Sequence, residues 1–403
     1  MPPFPPGPPG LLSGVTVLDL ATVGPAARCT RILADYGAAV VKVGPVPGRG
    51  AEPIRPPSYA YSGSRWLSRL AIDLKDPEGR AAFLALAARA DVVVESFRPG
   101  VVDRLGIGYE ALRRANPRII LCSTTGYGQS GPRAGWAGHD INYLAVGGYL
   151  AASEPGCDGG PPMAGATIAD AAGGGMHAAL AVMAALIGRS GGGGGAHLDV
   201  SVADGVLWLT SLSVDEHLAT GATVGFGHDL ISGRYACYGT YQAADGAWLA
   251  VGAIEPRFYA ELCRRIGCPQ WVDHQLDDRV QAQVREDFRA AFGSRDRAAW
   301  IEALAPYDTC VSPVQDVAEV VADPQYAARG AFVRVMAPGG DGTAGGDGSP
   351  GFRQVGPLLA GMRPPEEPVA LRDPSVSDAA GLLAEAGLAD GEIAALERRG
   401  VVA

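Results

Sequence analysis

The chain is short of charged and aromatic residues and has no excess of basic ones. Charged residues make up 19% and aromatics 7% of its 403 residues, and the formal net charge is −10. Without surplus cations to neutralise a run of phosphates, a general nucleic-acid binder is excluded. A local basic patch for one phosphorylated cofactor is not. The first ten residues, MPPFPPGPPG, lack both a basic n-region and an apolar h-region. They read as a disordered or polyproline tail over residues 1–10 and not as a signal peptide. No apolar run is expected to reach the roughly 20 residues that cross a bilayer, so no membrane partner is expected either. The seven cysteines (29, 122, 157, 237, 263, 268, 310) are scattered and odd in number, and Cys263 and Cys268 are too far apart for a CxxC pair. They read as reduced thiols of a cytoplasmic protein. His177, His197, His217, His228 and His274 show no metal-ligand spacing, so they are taken as structural and no metal is expected.

What is present is a globular composition, 47% hydrophobic, in a chain longer than one ordinary core. The β-rich run Val15–Leu20 is followed by a helical stretch to about Tyr36, then by Ala39–Val43 as the next strand. A helix from about Pro77 to Arg89 leads into Asp91–Glu95, and another near 109–115 leads into Ile119–Ser123. Apolar strands alternating with helices predict a parallel α/β sheet covered on both faces, a Rossmann-like layout. No Gly-x-Gly-x-x-Gly follows the first strand. A long small-residue helix is expected over 171–188. Residues 191–195 are five glycines with no Lys-Ser/Thr after them, so they read as a linker and not a phosphate loop. From about 235 to 320 the pattern changes: Tyr241-Gln-Ala-Ala-Asp-Gly246 signals a hairpin before Trp248–Ala253, and several helices follow. The division expected is a tail over 1–10, a large Rossmann-like domain over 11–220, a smaller α/β domain over 221–330, and a return to the large domain over 331–403. That last part includes a low-complexity insert at 337–350.

Two residues stand out chemically. His139 lies in Gly138-His-Asp-Ile-Asn-Tyr143, and Asp170 leads into Ala171-Ala-Gly-Gly-Gly175. A carboxylate before a glycine-rich helix start has free backbone N–H groups beside it, and no large side chain is expected to block a ligand there. As an alternative, Asp170 is only an N-cap. A histidine facing it across a pocket would make a two-base proton-transfer site.

Taken in order and spacing, several segments resemble the class III CoA-transferase (CaiB/BaiF) family, from about Leu11 to the C-terminus. They are Gly14-Val-Thr-Val-Leu-Asp19, Leu33-Ala-Asp-Tyr-Gly-Ala-Ala-Val-Val-Lys-Val43, Ala71-Ile-Asp-Leu-Lys75, Ser96-Phe-Arg-Pro-Gly100, Gly126-Tyr-Gly-Gln-Ser-Gly-Pro132 and Asp199-Val-Ser-Val-Ala-Asp204. The resemblance implies a large Rossmann-like domain built from both chain ends, a small domain between them, and an interlocked homodimer. It also implies an acyl-CoA substrate with no further cofactor.

Within the family two chemistries compete. Transferases use the aspartate at position 170 as a nucleophile on an acyl-CoA. Enzymes of the α-methylacyl-CoA racemase subgroup use it as one of two bases. Gly138–Tyr143 resembles the racemase segment, with His139 as the second base. Ala253-Ile-Glu-Pro-Arg-Phe-Tyr259 resembles the segment whose glutamate orients and charges that histidine, a role that falls to Glu255; alternatively Glu255 only caps a helix beginning at Pro256. Ala21-Thr-Val-Gly-Pro25 lacks the His and Gln of formyl-CoA transferases.

Departures run the other way: Ala166 stands where racemases often carry an asparagine, and Gly165–Asp170 is similar to the transferase segment. For CoA, Arg98 and Arg104 are the candidates for the phosphates and the adenine, since Arg makes bidentate phosphate contacts and stacks on rings. Lys75 follows, with Arg65 and Arg69 unranked. The expected activity is racemisation or epimerisation of 2-methylacyl-CoA thioesters. The alternatives are CoA transfer through Asp170, or acyl-CoA binding without catalysis.

Overall fold

Val17 and Leu18 are chain neighbours that feed two different hydrophobic cores, because successive side chains of a strand point to opposite faces. They belong to β1 (Thr16–Asp19), and the same split recurs along the sheet. Val40, Val92, Val94, Ile120 and Cys122 join Val17 on one face, while Val41, Val93 and Leu121 join Leu18 on the other. The remaining strands are β2 (Ala39–Gly44), β3 (Leu67–Ala71), β4 (Val92–Glu95), β5 (Ile120–Thr125) and β6 (Ala196–Ser201). All pair in parallel, in the order β3-β2-β1-β4-β5-β6. That is the doubly wound order of a Rossmann sheet, which reverses direction between β1 and β4. The computed structural model from which this is read describes residues 7–48, 65–336, 351–373 and 376–403. The insert at 337–350 and residues 1–6 of the tail lie outside the described residues.

One face of the sheet is covered by helix α1 (Gly24–Asp35) and by the long helix through Ala178, Ala179, Val182 and Leu186. The other is covered by α2 (Pro77–Ala87) together with the C-terminal helices Ala379–Glu385 and Asp390–Arg398. The chain end itself extends the sheet edge: Ala71 N donates to Ala403 O at 2.8 Å and Ala403 N returns to Ala71 O at 3.0 Å. Residues 7–10, assigned to a disordered tail, instead lie against the turn after α1. A Cβ on Gly10 would stand 2.2 Å from the Tyr36 carbonyl oxygen.

The described chain forms two compact units. The first comprises Met1–Gly147, Ala164–Leu209 and Pro324–Ala403; the second comprises Gly148–Met163 and Thr210–Asp323. Residues 148–163 and 210–220 thus belong to the second unit. Its sheet is the antiparallel set β7 (Tyr238–Gln242), β8 (Trp248–Gly252) and β9 (Val311–Pro313). The hairpin signal at Asp245-Gly246 joins β7 to β8, with Gly246 at φ 80°, a turn conformation that glycine adopts at little cost. Tyr241, Tyr259, Phe288, Phe292 and Trp300 fill its core. A further small sheet in the first unit pairs β10 (Phe332–Met336) with β11 (Phe352–Val355) and β12 (Val369–Ala370).

One sequence expectation is corrected outright. Ala169–Ser190 is a continuous 22-residue helix, long and apolar enough by length and composition to cross a membrane. Glycine and alanine carry much of that run, which is why it does not read as an apolar stretch by eye. In this fold its buried stripe packs beneath the sheet and against α1, and it leaves Leu180 and Ile187 exposed.

Candidate active site

Asp170 lies in the second position of a π-helical turn, Ala169–Met176, that continues as helix α4 (His177–Ser190). It is therefore inside the helix and is not its N-cap, which is Ile168; the helix begins earlier than the expected 171. A π-helical turn widens the backbone spiral and is frequent at functional sites. The backbone N–H of Asp170 finds no partner within the first turn and donates to Asp140 Oδ1 at 2.8 Å. Asp140 is the first residue of helix α3 (Asp140–Val146), whose N-cap is His139.

His139 is held from behind. Its backbone N–H donates to Asn142 Oδ1 at 3.0 Å, and its side chain makes no capping bond, so the imidazole stays exposed. Tyr143, one turn further on, donates from its hydroxyl to Gly138 O at 2.5 Å. Burial first, and then the negative charge of Asp170, push that hydroxyl up to about 12, so it remains a donor. The one hydrogen bond between Asp140 and Asp170 N thus ties the segment Gly138–Tyr143 to the π-helical turn.

The Asp170 carboxyl is shifted up from the ordinary aspartate value. Burial is the main cause and the Asp140 carboxylate adds to it, while Arg28 and His139 pull in the opposite direction. A carboxyl raised by burial and faced by a histidine is the environment expected of a working acid or base. Asp140 and Arg28 were missed from the sequence. Asp140 sits inside the quoted Gly138–Tyr143 segment, but its target lies thirty residues away and no spacing encodes it.

The glycine stretch after Asp170 does something other than expected. Gly173, Gly174 and Gly175 are buried. A Cβ on Gly174 would lie 2.4 Å from Pro25 Cβ, and one on Gly173 would lie 3.0 Å from the Val202 carbonyl oxygen. Gly205, on helix α5 (Val202–Leu209), approaches so closely that its Cβ would meet Gly173 O at 1.9 Å. The glycines let α1 and α5 pack on the π-helical turn; they do not form an open cradle for a thioester oxygen.

Glu255 lies in the second unit as the N-cap of helix α6 (Pro256–Arg265), with Pro256 in the first helical position; its carboxylate makes no capping bond. The CoA candidates divide. Arg98 is exposed on the turn that follows β4, on the carboxyl side of the sheet next to the switch point, and Arg104 is exposed at the end of the short helix Val101–Arg104 after it. The buried Glu95 fixes that turn by accepting from Phe97 N at 2.7 Å. Lys75 is exposed after β3, three strand positions or about 14 Å from β4. Arg65 is withdrawn from the candidates. It is fully buried, bonded to Gln354 Oε1 at 3.1 Å and to Val355 O at 3.0 Å, and it shares Asp35 with Arg31. Arg69 is largely buried too, and burial lowers its pKa. Lys42 is likewise committed, to the buried Asp19 at 2.8 Å.

Two cavities lie in the first unit. One, of about 220 Å³, is lined by Tyr127, Arg133, Val146, Asp204 and Leu207; the other, of about 210 Å³, runs along Ser377–Glu385. His139 and Asp170 line neither.

The comparisons agree with one another. Human alpha-methylacyl-CoA racemase is 36% identical over 328 residues, covering 80% of this chain and 82% of its own length. The mouse alpha-methylacyl-CoA racemase is 33% identical over 395 residues, 97% of each chain. Acetyl-CoA:oxalate CoA-transferase of Acetobacter aceti is 33% identical over 373 residues, covering 87% of this chain and 94% of its own. Among solved structures, a CaiB/BaiF family protein from Brucella suis superposes with a TM-score of 0.70 at 25% identity, over 97% of this chain and 99% of the other. A match to CoA-transferase family III spans residues 12–353. With the parallel sheet and the order of its motifs, this chain belongs to CoA-transferase family III.

Proposed function

We propose that the chain is a racemase or epimerase of 2-methylacyl-CoA thioesters, moving the α-proton through an enolate with His139 and Asp170 as its two bases. The reading rests on one observation. His139 and Asp170 adjoin across the Asp140 Oδ1 to Asp170 N hydrogen bond, and the charge of His139 acts on the Asp170 carboxyl. For one stereoisomer the Asp170 carboxylate takes the α-proton while the C–H electron pair shifts into the enolate. Protonated His139 then returns a proton to the opposite face of the same carbon. For the other stereoisomer the roles reverse: neutral His139 takes the proton and protonated Asp170 returns one.

Glu255 is proposed to orient and charge His139. Arg98 and Arg104 are proposed to bind the CoA phosphates and adenine, and Lys75 to assist. No cofactor beyond the substrate is invoked. The working form is proposed to be a homodimer of interlocked chains. Leu180, Ile187 and Trp208, exposed by 64%, 74% and 76% in the single chain, support a covering partner copy.

A second reading, CoA transfer through an Asp170 acyl anhydride, is favoured by Ala166 and by the transferase-like Gly165–Asp170 segment. Proton NMR of an optically pure 2-methylacyl-CoA in D₂O, with no acceptor acid present, separates the two. Deuterium entering the α-position with loss of optical purity supports the racemase. No exchange, followed by CoA transfer once a carboxylic acid is added, makes Asp170 a nucleophile.

A further inference from the structure

Arg28 approaches the start of the Asp170 helix from a different element. It lies on α1, and its Nη2 donates to Thr167 Oγ1 at 2.6 Å. Thr167 stands one turn before Asp170, and its carbonyl accepts from Ala171 N at 2.9 Å, so side chains 167 and 170 leave the helix start on one side. The path is opened by Gly175. A Cβ there would sit 2.7 Å from Arg28 Cβ, so the bare glycine lets the arginine stem lie against the π-helical turn that carries Asp170. Position 166, four residues before the aspartate, is alanine and supplies no polar group. The groups that face Asp170 are Asp140, His139 and Tyr143 from α3 and its N-cap, and Arg28 from α1.

We infer that Arg28 is a positioning residue for Asp170: anchored on Thr167 Oγ1, three residues before the aspartate, its guanidinium holds the carboxyl in place for proton transfer. The inference rests on the two-base reading for its catalytic consequence only. Burial and the Asp140 carboxylate both favour the protonated form of Asp170, and in that form it accepts no proton. Arg28 and His139 supply the opposing charge. The proton-transfer step itself is unchanged: the α-proton goes to the Asp170 oxygen and the electron pair to the enolate.

The test compares the full chain with Arg28→Gln, Arg28→Lys and Thr167→Val. Two properties are measured. One is the pH dependence of kcat/KM in each stereochemical direction. The other is the carbon-13 titration of the Asp170 carboxyl in protein labelled at aspartate Cγ, assigned by difference against Asp170→Asn. Arg28→Gln is expected to raise the Asp170 midpoint by about one pH unit. The acid limb should move up equally in the direction that uses Asp170 as base, and kcat should fall more than KM rises. Arg28→Lys is expected to restore most of the midpoint. Thr167→Val, an exposed substitution that leaves the α1 packing intact, is expected to raise it by a smaller amount, and it carries the test should Arg28→Gln fail to fold. An Asp170 midpoint unmoved in Arg28→Gln, or in Thr167→Val where that variant stands alone, overturns the inference. Wild-type protein that exchanges no α-proton, while the midpoint shifts as described, overturns the racemase reading and leaves the role of Arg28 standing.

Discussion

At the scale of single residues, the site is a balance of charges around one carboxyl. Asp170 is raised from the ordinary aspartate value chiefly by burial and then by Asp140. The acid limb of the pH–rate profile should therefore lie above the usual carboxylate range in the direction that uses Asp170 as base. The sign follows from the chemistry: below that midpoint the carboxyl is protonated and cannot accept, and above it the rate reaches its plateau. Asp140→Asn removes one of the two raising influences while keeping an oxygen for Asp170 N, so it should move the limb down; a limb that stays in place or rises would count against this balance. His139→Ala should lower turnover of the stereoisomer deprotonated by His139 by about a hundredfold or more. Deuterium exchange from the opposite isomer, where Asp170 is the base, should persist. Equal retained activity on both isomers would remove His139 from the mechanism. Arg98→Ala removes the proposed charge-assisted phosphate contact and should raise KM for acyl-CoA about tenfold with a smaller effect on kcat; an unchanged KM would exclude Arg98. His139, Asp170, Arg98 and Arg104 could be singled out as candidates because each sits in a short run of distinctive neighbours. Asp140 and Arg28 could not be, because each acts on Asp170 from another element and the fold alone brings them together.

At the scale of elements, the contact that matters most is the crossing of α5 over the π-helical turn. Gly205 meets Gly173 with no room for a methyl group: the added Cβ would fall 1.9 Å from a backbone oxygen. Gly205→Ala must therefore push the two helices apart. That is expected to cost about 1–3 kcal/mol of stability and to lower activity, because the displaced turn carries Asp170. Thermal melting and kcat measured together check it. A stable and fully active Gly205→Ala would mean that the crossing has room for a methyl group. Here the sequence misled. A glycine run after a carboxylate reads as space for a ligand, whereas these glycines admit neighbouring helices. Strands β1, β2, β4 and β5 were plain from unbroken runs such as Asp91–Glu95, since both faces of a parallel sheet are buried. The π-helical register was not plain, because no local residue pattern encodes an i to i+5 bond.

At the scale of the whole molecule, the proposed dimer makes a prediction that an ordinary docked dimer does not. Trp208 and Ile187 are about three-quarters exposed in the single chain, on helices that also frame Asp170. A chain that leaves such side chains open is expected to bury them against a second copy. If two chains merely dock, they separate and re-pair by mass action upon dilution. If each threads through the other, separation requires that at least one chain unfold, so exchange is limited by unfolding. Two preparations, one labelled with nitrogen-15 and one unlabelled, should therefore be mixed under native conditions and followed by native mass spectrometry. Interlocked chains are expected to remain as the two parent dimers for many hours, and to give the statistical mixture only after joint unfolding and refolding. Mixed dimers within minutes of native mixing would mean a docked pair, and folded monomers at every concentration would remove the dimer altogether.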